Sequence, residues 1–154
     1  MAQRPHLDLD NYLPYLINRV GFALVTSFTA DALKANGLSI DMWRVLAALS
    51  NNSGGQRQVD LSGMTSIDAS TMSRLVTRMV RHGLVTRTRS KTSNREVVVA
   101  LSPKGRAQVE SLIPIAKGLE GVASGGITAK EQAVVKRALK RMYENLTSGR
   151  RRSR

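Results

Sequence analysis

Apolar residues recur every three or four positions over most of this chain, which is the period of an amphipathic helix. The first such stretch predicts a helix over residues 11–35, capped by Asp10 and ended by Asn36-Gly37. Its apolar positions are Leu13, Leu16, Ile17, Val20, Leu24 and Phe28. Other apolar residues surround much of this helix, so we expect it to contact a partner chain as well as its own core.

Three more helical patterns follow, joined by short polar breaks. Ser39 should cap a helix over residues 40–50, and a short helix is expected near residues 57–64. Asp68 should then cap a helix over residues 69–82, ended by Gly83. The apolar stripe of this last helix is Met72, Leu75, Val76, Met79 and Val80. Its opposite face carries only Ser, Thr and Arg, so we expect that face to be exposed.

A change of period marks the next segment as a two-stranded ribbon. Leu84–Arg89 and Glu96–Leu101 are rich in β-forming residues, and the polar residues 90–95 between them predict a turn. Ser102-Pro103 should begin another helix, which Gly125-Gly126 ends. The capping box Thr128–Glu131 then begins a final helix that is predicted to run to about Leu146.

Charge singles out the central helix and ribbon as a surface for a polyanion. The chain has 24 Lys and Arg against 11 Asp and Glu, a net charge of +13. Between Ser70 and Arg106 the one acid is Glu96, among nine cations. Nucleic acid is the first candidate partner and an anionic membrane the second.

The polar face of the helix and the ribbon together suit a DNA groove. Arginine pairs with guanine edges or phosphates, and short hydroxyl side chains let a helix approach the bases. The predicted DNA-binding residues are Ser70, Thr71, Ser73, Arg74, Thr77, Arg78, Arg87, Arg89, Lys91, Asn94 and Arg95. The alternative is that the helix face is merely solvated and that the charged ribbon only prevents aggregation at a sheet edge. The two basic elements are adjacent in the sequence, which favours DNA binding.

Several other function classes find little support in the sequence. No cysteine is present, so disulfides and thiolate metal sites are excluded, and His6 and His82 have no metal-like spacing. No nucleophile–base or paired-carboxylate pattern is visible, so we expect neither an enzyme nor a cofactor. No signal core or apolar run of membrane length appears, which favours a cytoplasmic protein.

The order of these elements resembles the multiple-antibiotic-resistance regulator (MarR) family. The resemblance rests on residues 43–49, 70–76, 83–87 and 95–105, and it covers about Leu7 to Leu146. It implies a mainly α fold with a small β-wing: a winged helix-turn-helix flanked by N- and C-terminal dimerisation helices. Ser93 departs from the family, whose wing usually carries an Asp two residues before the Arg found here at Arg95.

The resemblance also implies an organisation and a partner set. Residues 1–38 and 102–147 would form the helical dimerisation region, residues 39–101 the DNA-binding region, and residues 148–154 a basic disordered tail. The protein would be a homodimeric repressor that leaves a palindromic operator when a small aromatic or phenolic effector binds. The residues that would bind this effector are Tyr15, Arg19, Phe22, Trp43 and Arg44. For Trp43, burial of an aromatic ring in the core is the stronger interpretation, because it explains the residue without any ligand.

A second function class remains open at this point. A charge of +13 would also suit an architectural protein that binds nucleic acid without sequence preference. Its affinity would depend on salt but hardly on sequence, whereas a regulator would protect a particular site.

Overall fold

The protein is mainly helical and carries one small antiparallel sheet, which confirms the predicted fold class. A computed structural model describes residues 6–89 and 96–151, with the backbone alone for 149–151. The helices are α1 (Leu13–Phe28), α2 (Ile40–Ser50), α3 (Gln58–Thr65), α4 (Ala69–Arg81), α5 (Pro103–Ala123) and α6 (Ala129–Arg151). The strands are β1 (Gln56–Arg57), β2 (Val85–Arg89) and β3 (Val97–Leu101).

The sheet contains a strand that the sequence did not predict. Its order is β1-β3-β2, and the two residues of β1 pair with Val99 and Val98. Gly55 makes this approach possible, because its φ is 81° and a Cβ there would lie 2.8 Å from the Val99 carbonyl oxygen. Two residues cannot show a strand period, so β1 forms through its tertiary partner rather than through a local pattern.

The first helix begins later than predicted. Tyr12 occupies the N-cap of α1 without a side-chain cap, while the Asp8 carboxylate accepts the Asp10 N–H in the preceding 3-10 turn. Asp10 is therefore not the cap, because it lies inside that turn and three residues before Leu13. After Phe28 the chain continues as a π turn and a 3-10 turn, and Gly37 with φ 65° ends it as predicted.

Both ends of α4 agree with the sequence. The Asp68 carboxylate accepts the Thr71 N–H at 2.9 Å, which satisfies a free amide in the first turn. At the other end, Gly83 has φ 70° and the Leu84 N–H reaches the Met79 carbonyl at 3.0 Å. Together with the Gly83 N–H to Val80 bond, this is a Schellman motif, in which glycine takes the left-handed position.

The core lies within the first of two compact units, Met1–Leu119. Met72, Val76 and Met79 of α4 are fully buried, against α2 residues such as Met42, Leu46 and Leu49 in the same cluster. Val80 remains 39% exposed, at the edge of the stripe. The inner face of α4 is thus held by the core, which leaves the opposite face to solvent.

The second unit, Glu120–Arg154, contains the end of α5 and all of α6. Thr128 and Glu131 form the predicted capping box, in which the Thr128 N–H donates to Glu131 at 2.8 Å. Helix α6 ends at Arg151 rather than near Leu146, so residues 148–151 are helical instead of belonging to a disordered tail. Arginine favours helices and complements the dipole at a C-terminus. Residues 152–154 lie outside the described residues.

One junction joins the end of α4, both strands of the ribbon and the start of α5. Ser102 donates its N–H to the Leu84 carbonyl at 3.1 Å and its hydroxyl to the Gly83 carbonyl at 2.6 Å. The same hydroxyl accepts the Gly105 N–H at 2.9 Å and so caps α5. A Cβ on Gly105 would lie 1.9 Å from the Leu84 carbonyl oxygen, so only glycine fits there.

Substitution at this junction should therefore destabilise the protein. Gly105→Ala forces α5 away from Leu84 or distorts the turn, and we expect a loss of about 1–3 kcal/mol, the usual cost of overpacking. Gly63→Ala is the matched control, because Gly63 is helical and exposed and a Cβ there meets nothing within 4 Å. Thermal unfolding followed by circular dichroism measures both. An unchanged melting temperature for Gly105→Ala would contradict the close approach.

Candidate nucleic-acid interface

The predicted contact residues of α4 share one face of that helix. Ser70, Arg74, Thr77 and Arg78 are exposed, and Thr71 and Ser73 are half-buried. The Arg74 guanidinium lies 3.5 Å from the Thr71 hydroxyl, and the Thr77 hydroxyl donates to the Ser73 carbonyl at 2.9 Å. The helix therefore presents two arginines one turn apart, beside small side chains that leave room for a base edge.

The ribbon is continuous with this face. Arg87 of β2 donates to the Thr77 hydroxyl at 3.4 Å, which joins the strand to the helix. Because strand side chains alternate between faces, Arg89 lies on the same side of the ribbon as Arg87. Both arginines are exposed. Helix and ribbon thus form one surface, which we call the reading surface: the six predicted α4 residues together with Arg87 and Arg89.

The cations of the reading surface are free to meet an anion. Among the described residues, none of Arg74, Arg78, Arg87 and Arg89 is ion-paired with a carboxylate. Asp68 at the start of α4 is occupied as a cap, and hydrogen bonds from the Thr71 hydroxyl and N–H lower its pKa. A concave or grooved polyanion could therefore approach without displacing an existing ion pair.

Part of the predicted interface cannot be placed. Lys91, Asn94 and Arg95 lie outside the described residues, and so does Ser93, which stands where the family carries its wing Asp. The described part of the ribbon ends at Arg89 and resumes at Glu96, so the geometry of the interface rests on α4, β2 and β3.

Sequence reasoning missed a charged cluster beside the start of β3. Arg57 donates to both Asp60 oxygens at 2.7 and 2.9 Å and to Glu96 at 3.0 Å. The hydrogen bonds that Arg57 donates to Asp60 and, to a lesser extent, to Glu96 raise the pKa of Arg57. The isolation of Glu96 among nine cations was the available signal, but its partner is 39 residues away in the sequence.

A separate surface cavity of about 400 Å³ lies beside α2 and α3. Its lining is Trp43, Arg44, Ala47, Ala48, Asn51, Met64 and Thr65. Trp43 is half-buried and packs edge-on against Phe28, with ring centroids 5.0 Å apart. Trp43 thus takes part in core contacts and also borders the cavity. Its position agrees both with a packing residue and with a residue that binds an effector.

Three of the five candidate effector-binding residues do not line that cavity. Arg19 lies over the Tyr15 ring at 5.7 Å, and Phe22 is 72% exposed, all three on α1. Arg44 is at the cavity but already pairs with Asp41 at 3.0 Å. The structure therefore brings two of the five predicted residues together at the cavity, and the three on α1 are not part of its lining.

The described residues hold neither a metal-binding cluster nor a membrane-crossing helix. Across residues 6–89 and 96–151, no group of three or more His, Cys, Asp or Glu side chains is arranged to hold a metal ion. In the same part of the chain, no helix combines the length and the apolarity that a membrane crossing requires.

Comparison with known proteins identifies the fold and its family. The MarR family model matches residues 38–97, which contain the reading surface. The HTH-type transcriptional repressor Rv2887 of Mycobacterium tuberculosis is 30% identical over 139 residues, or 90% of this chain and 96% of the repressor.

Solved structures agree with this result. A MarR-family transcriptional regulator from Silicibacter pomeroyi is 30% identical, with a TM-score of 0.80 over 92% of this chain and 96% of that one. BpsR of Bordetella bronchiseptica, whose DNA binding is regulated by 6-hydroxynicotinic acid, is 25% identical to this chain. The two structures match with a TM-score of 0.80 over 91% of this chain and 99% of BpsR. The chain therefore belongs to the MarR family of transcriptional regulators.

Proposed function

We propose that this protein is a sequence-specific transcriptional repressor that acts in the cytoplasm as a homodimer. The observation that carries the proposal is the continuity of α4 and β2 at the Arg87–Thr77 contact. It makes one exposed surface from a helix that fits a major groove and a ribbon whose cations can meet the flanking phosphates. The test is selection of bound sequences from random DNA, followed by competition with unrelated DNA.

Non-specific architectural binding is the competing function, and the shape of the reading surface argues against it. Non-specific binding needs only cations that meet phosphates. This helix also carries Ser70, Thr71 and Ser73 at its N-terminal end, where helix-turn-helix proteins contact base edges. Competition that depends on salt but not on sequence would favour the architectural function instead.

Apolar residues left exposed on the single chain support the homodimer. On α1 these are Leu13, Leu16, Val20 and Phe22, between 37% and 72% exposed. On α6 they are Val134, Val135, Leu139, Tyr143 and Leu146, between 43% and 73% exposed. Clustered exposed apolar residues commonly mark a contact with another chain, and a second copy of this chain would cover them. Residues 1–38 and 102–147 are thus proposed as the dimerisation region.

The cavity at Trp43 and Arg44 is the proposed effector site. An aromatic ring and a guanidinium at one opening suit a small aromatic acid, with its carboxylate on Arg44. The regulation of BpsR by 6-hydroxynicotinic acid supports this chemical class. The cavity borders α3, the helix that precedes α4 in the chain, so a ligand there could shift the position of α4.

Removal of Arg74 should change which DNA sequence is preferred. If Arg74 contacts a guanine edge, Arg74→Ala loses roughly 1–3 kcal/mol of preference at one base position. Arg81→Ala is the matched control, since Arg81 is exposed on the same helix but in its last turn. Binding to a set of operators with single base changes gives both values. An equal loss on every sequence for Arg74→Ala would assign that residue to phosphate.

A charge on the apolar face of α6 should separate the two copies. Leu139→Glu is expected to give a monomer in sedimentation equilibrium. It should also weaken operator binding, because two DNA-binding regions no longer bind the operator as one molecule. Lys140→Glu adds the same side chain at the neighbouring exposed position and should remain a dimer. A Leu139→Glu protein that stays dimeric would exclude this face from the interface.

The response to aromatic acids should depend on Arg44 and not on Arg19. Operator complexes are titrated with small aromatic acids until one releases the DNA. With that acid, Arg44→Ala should need roughly tenfold more for release, because a charge-assisted hydrogen bond is lost. Arg19→Ala should respond as the unaltered protein does. The opposite pattern would move the effector site from the cavity to α1.

A further inference from the structure

Arg57 joins three elements of the DNA-binding region through one guanidinium. It belongs to β1, and its Nε and Nη2 donate to the two oxygens of Asp60 in the first turn of α3. Its Nη1 donates to Oε1 of Glu96, the residue immediately before β3. All three nitrogens of the guanidinium thus point to carboxylates, and we call this cluster the Arg57 clamp: Arg57, Asp60 and Glu96.

The clamp differs from an ordinary surface ion pair in its geometry. Isolated exposed pairs contribute little, because two long side chains must be ordered for one contact. Here the Asp60 contact is bidentate and the backbone of Arg57 is already paired with Val98 of β3. Gly55 brings that pairing close by its left-handed conformation. Less ordering is therefore needed, and the network spans residues 39 apart in the chain.

Glu96 stands in an unfavourable position for a simple DNA-binding surface. It is the one acid between Ser70 and Arg106, and it directly precedes β3 in a ribbon that carries Arg87 and Arg89. A carboxylate there repels phosphate, so its charge alone would weaken binding. Its contact with Arg57 gives a reason for an acid at this place, since it ties the start of β3 to α3.

We propose that Arg57 is a positioning residue that holds the β2–β3 ribbon against the helix-turn-helix, and that Glu96 increases operator affinity through it despite its charge. The inference rests on the proposed function, because affinity for an operator is what the positioning serves. Arg57 is not a DNA ligand in this account. Its guanidinium is engaged by acids, unlike those of Arg74 and Arg78.

The sign of the effect of Glu96→Gln separates this account from plain electrostatics. Loss of an acid near a polyanion should tighten binding to any DNA. Loss of the clamp should weaken operator binding, roughly three- to tenfold, the scale of coupling within one ion-pair network. Glu110→Gln is the matched control, because it removes an exposed acid of α5 that is not part of the Arg57 clamp. Tighter operator binding by both variants would overturn the inference.

A second variant tests the geometry and protects against a folding artefact. Arg57→Lys keeps the charge but loses the fork that binds Asp60 and Glu96 together. We expect it to weaken operator binding as Glu96→Gln does, and the double variant to be no weaker than the poorer single one. Unaltered binding by Arg57→Lys, or fully additive losses in the double variant, would contradict the clamp. Thermal unfolding confirms that each variant is folded.

Amide hydrogen exchange without DNA distinguishes failure of the inference from failure of the proposed function. Both variants should speed exchange at the β1–β3 pairing, around Arg57 and Val98. Unchanged exchange would overturn the clamp even if operator binding were specific. If the unaltered protein shows no sequence preference, the proposed function fails, and the exchange rates still decide whether the clamp holds the ribbon.

Discussion

The close approach of α5 to the turn after α4 fixes the geometry of the DNA-binding region. Gly105 lies so near the Leu84 carbonyl that no side chain fits, and Ser102 binds the Gly83 and Leu84 carbonyls from the same place. Lys104 adds a bond from its ammonium to the His82 carbonyl at 3.0 Å. These contacts fix the end of α4, the ribbon and the start of α5 together.

This constraint gives the proposed sequence specificity a structural basis. Phosphate contacts alone give affinity without preference for a DNA sequence. A helix and a ribbon held in a fixed relation must contact a groove and the phosphate backbone at the same time, which fixes the position of the helix on the bases. The Arg87–Thr77 contact and the Arg57 clamp hold the ribbon from its two sides, on β2 and β3. A ligand beside α3 would act on the same assembly, which is how the proposed release of DNA would follow.

Local signals predicted much of this structure, because caps and glycines act over a few residues. Asp68, Gly83, Ser102 and the Thr128–Glu131 box all make the bonds that their spacing indicates. Tertiary contacts escaped prediction. Strand β1 is too short to show a period, and the helical path after Phe28 changes to a π turn. The Asp10 cap was wrong because the start of α1 depends on a preceding 3-10 turn.

The candidate site divides in the same way. Exposure of the α4 polar face followed from its period, since an apolar stripe on one side leaves the other to solvent. The Arg57 clamp could not be predicted, because its members become neighbours only when β1 joins β3. Nor could the sequence separate Trp43 and Arg44 from the α1 residues, since all five are polar or aromatic side chains on helices that contact the core.

Methylation protection on a selected operator shows whether α4 reads DNA sequence, since it reports guanine N7 atoms in the major groove at single-base resolution. We expect two protected patches about one helical turn apart, each of which fades at one guanine when Arg74 is replaced. Weak and uniform protection along the DNA, unaltered by the Arg74 substitution, would contradict the claim that α4 reads sequence.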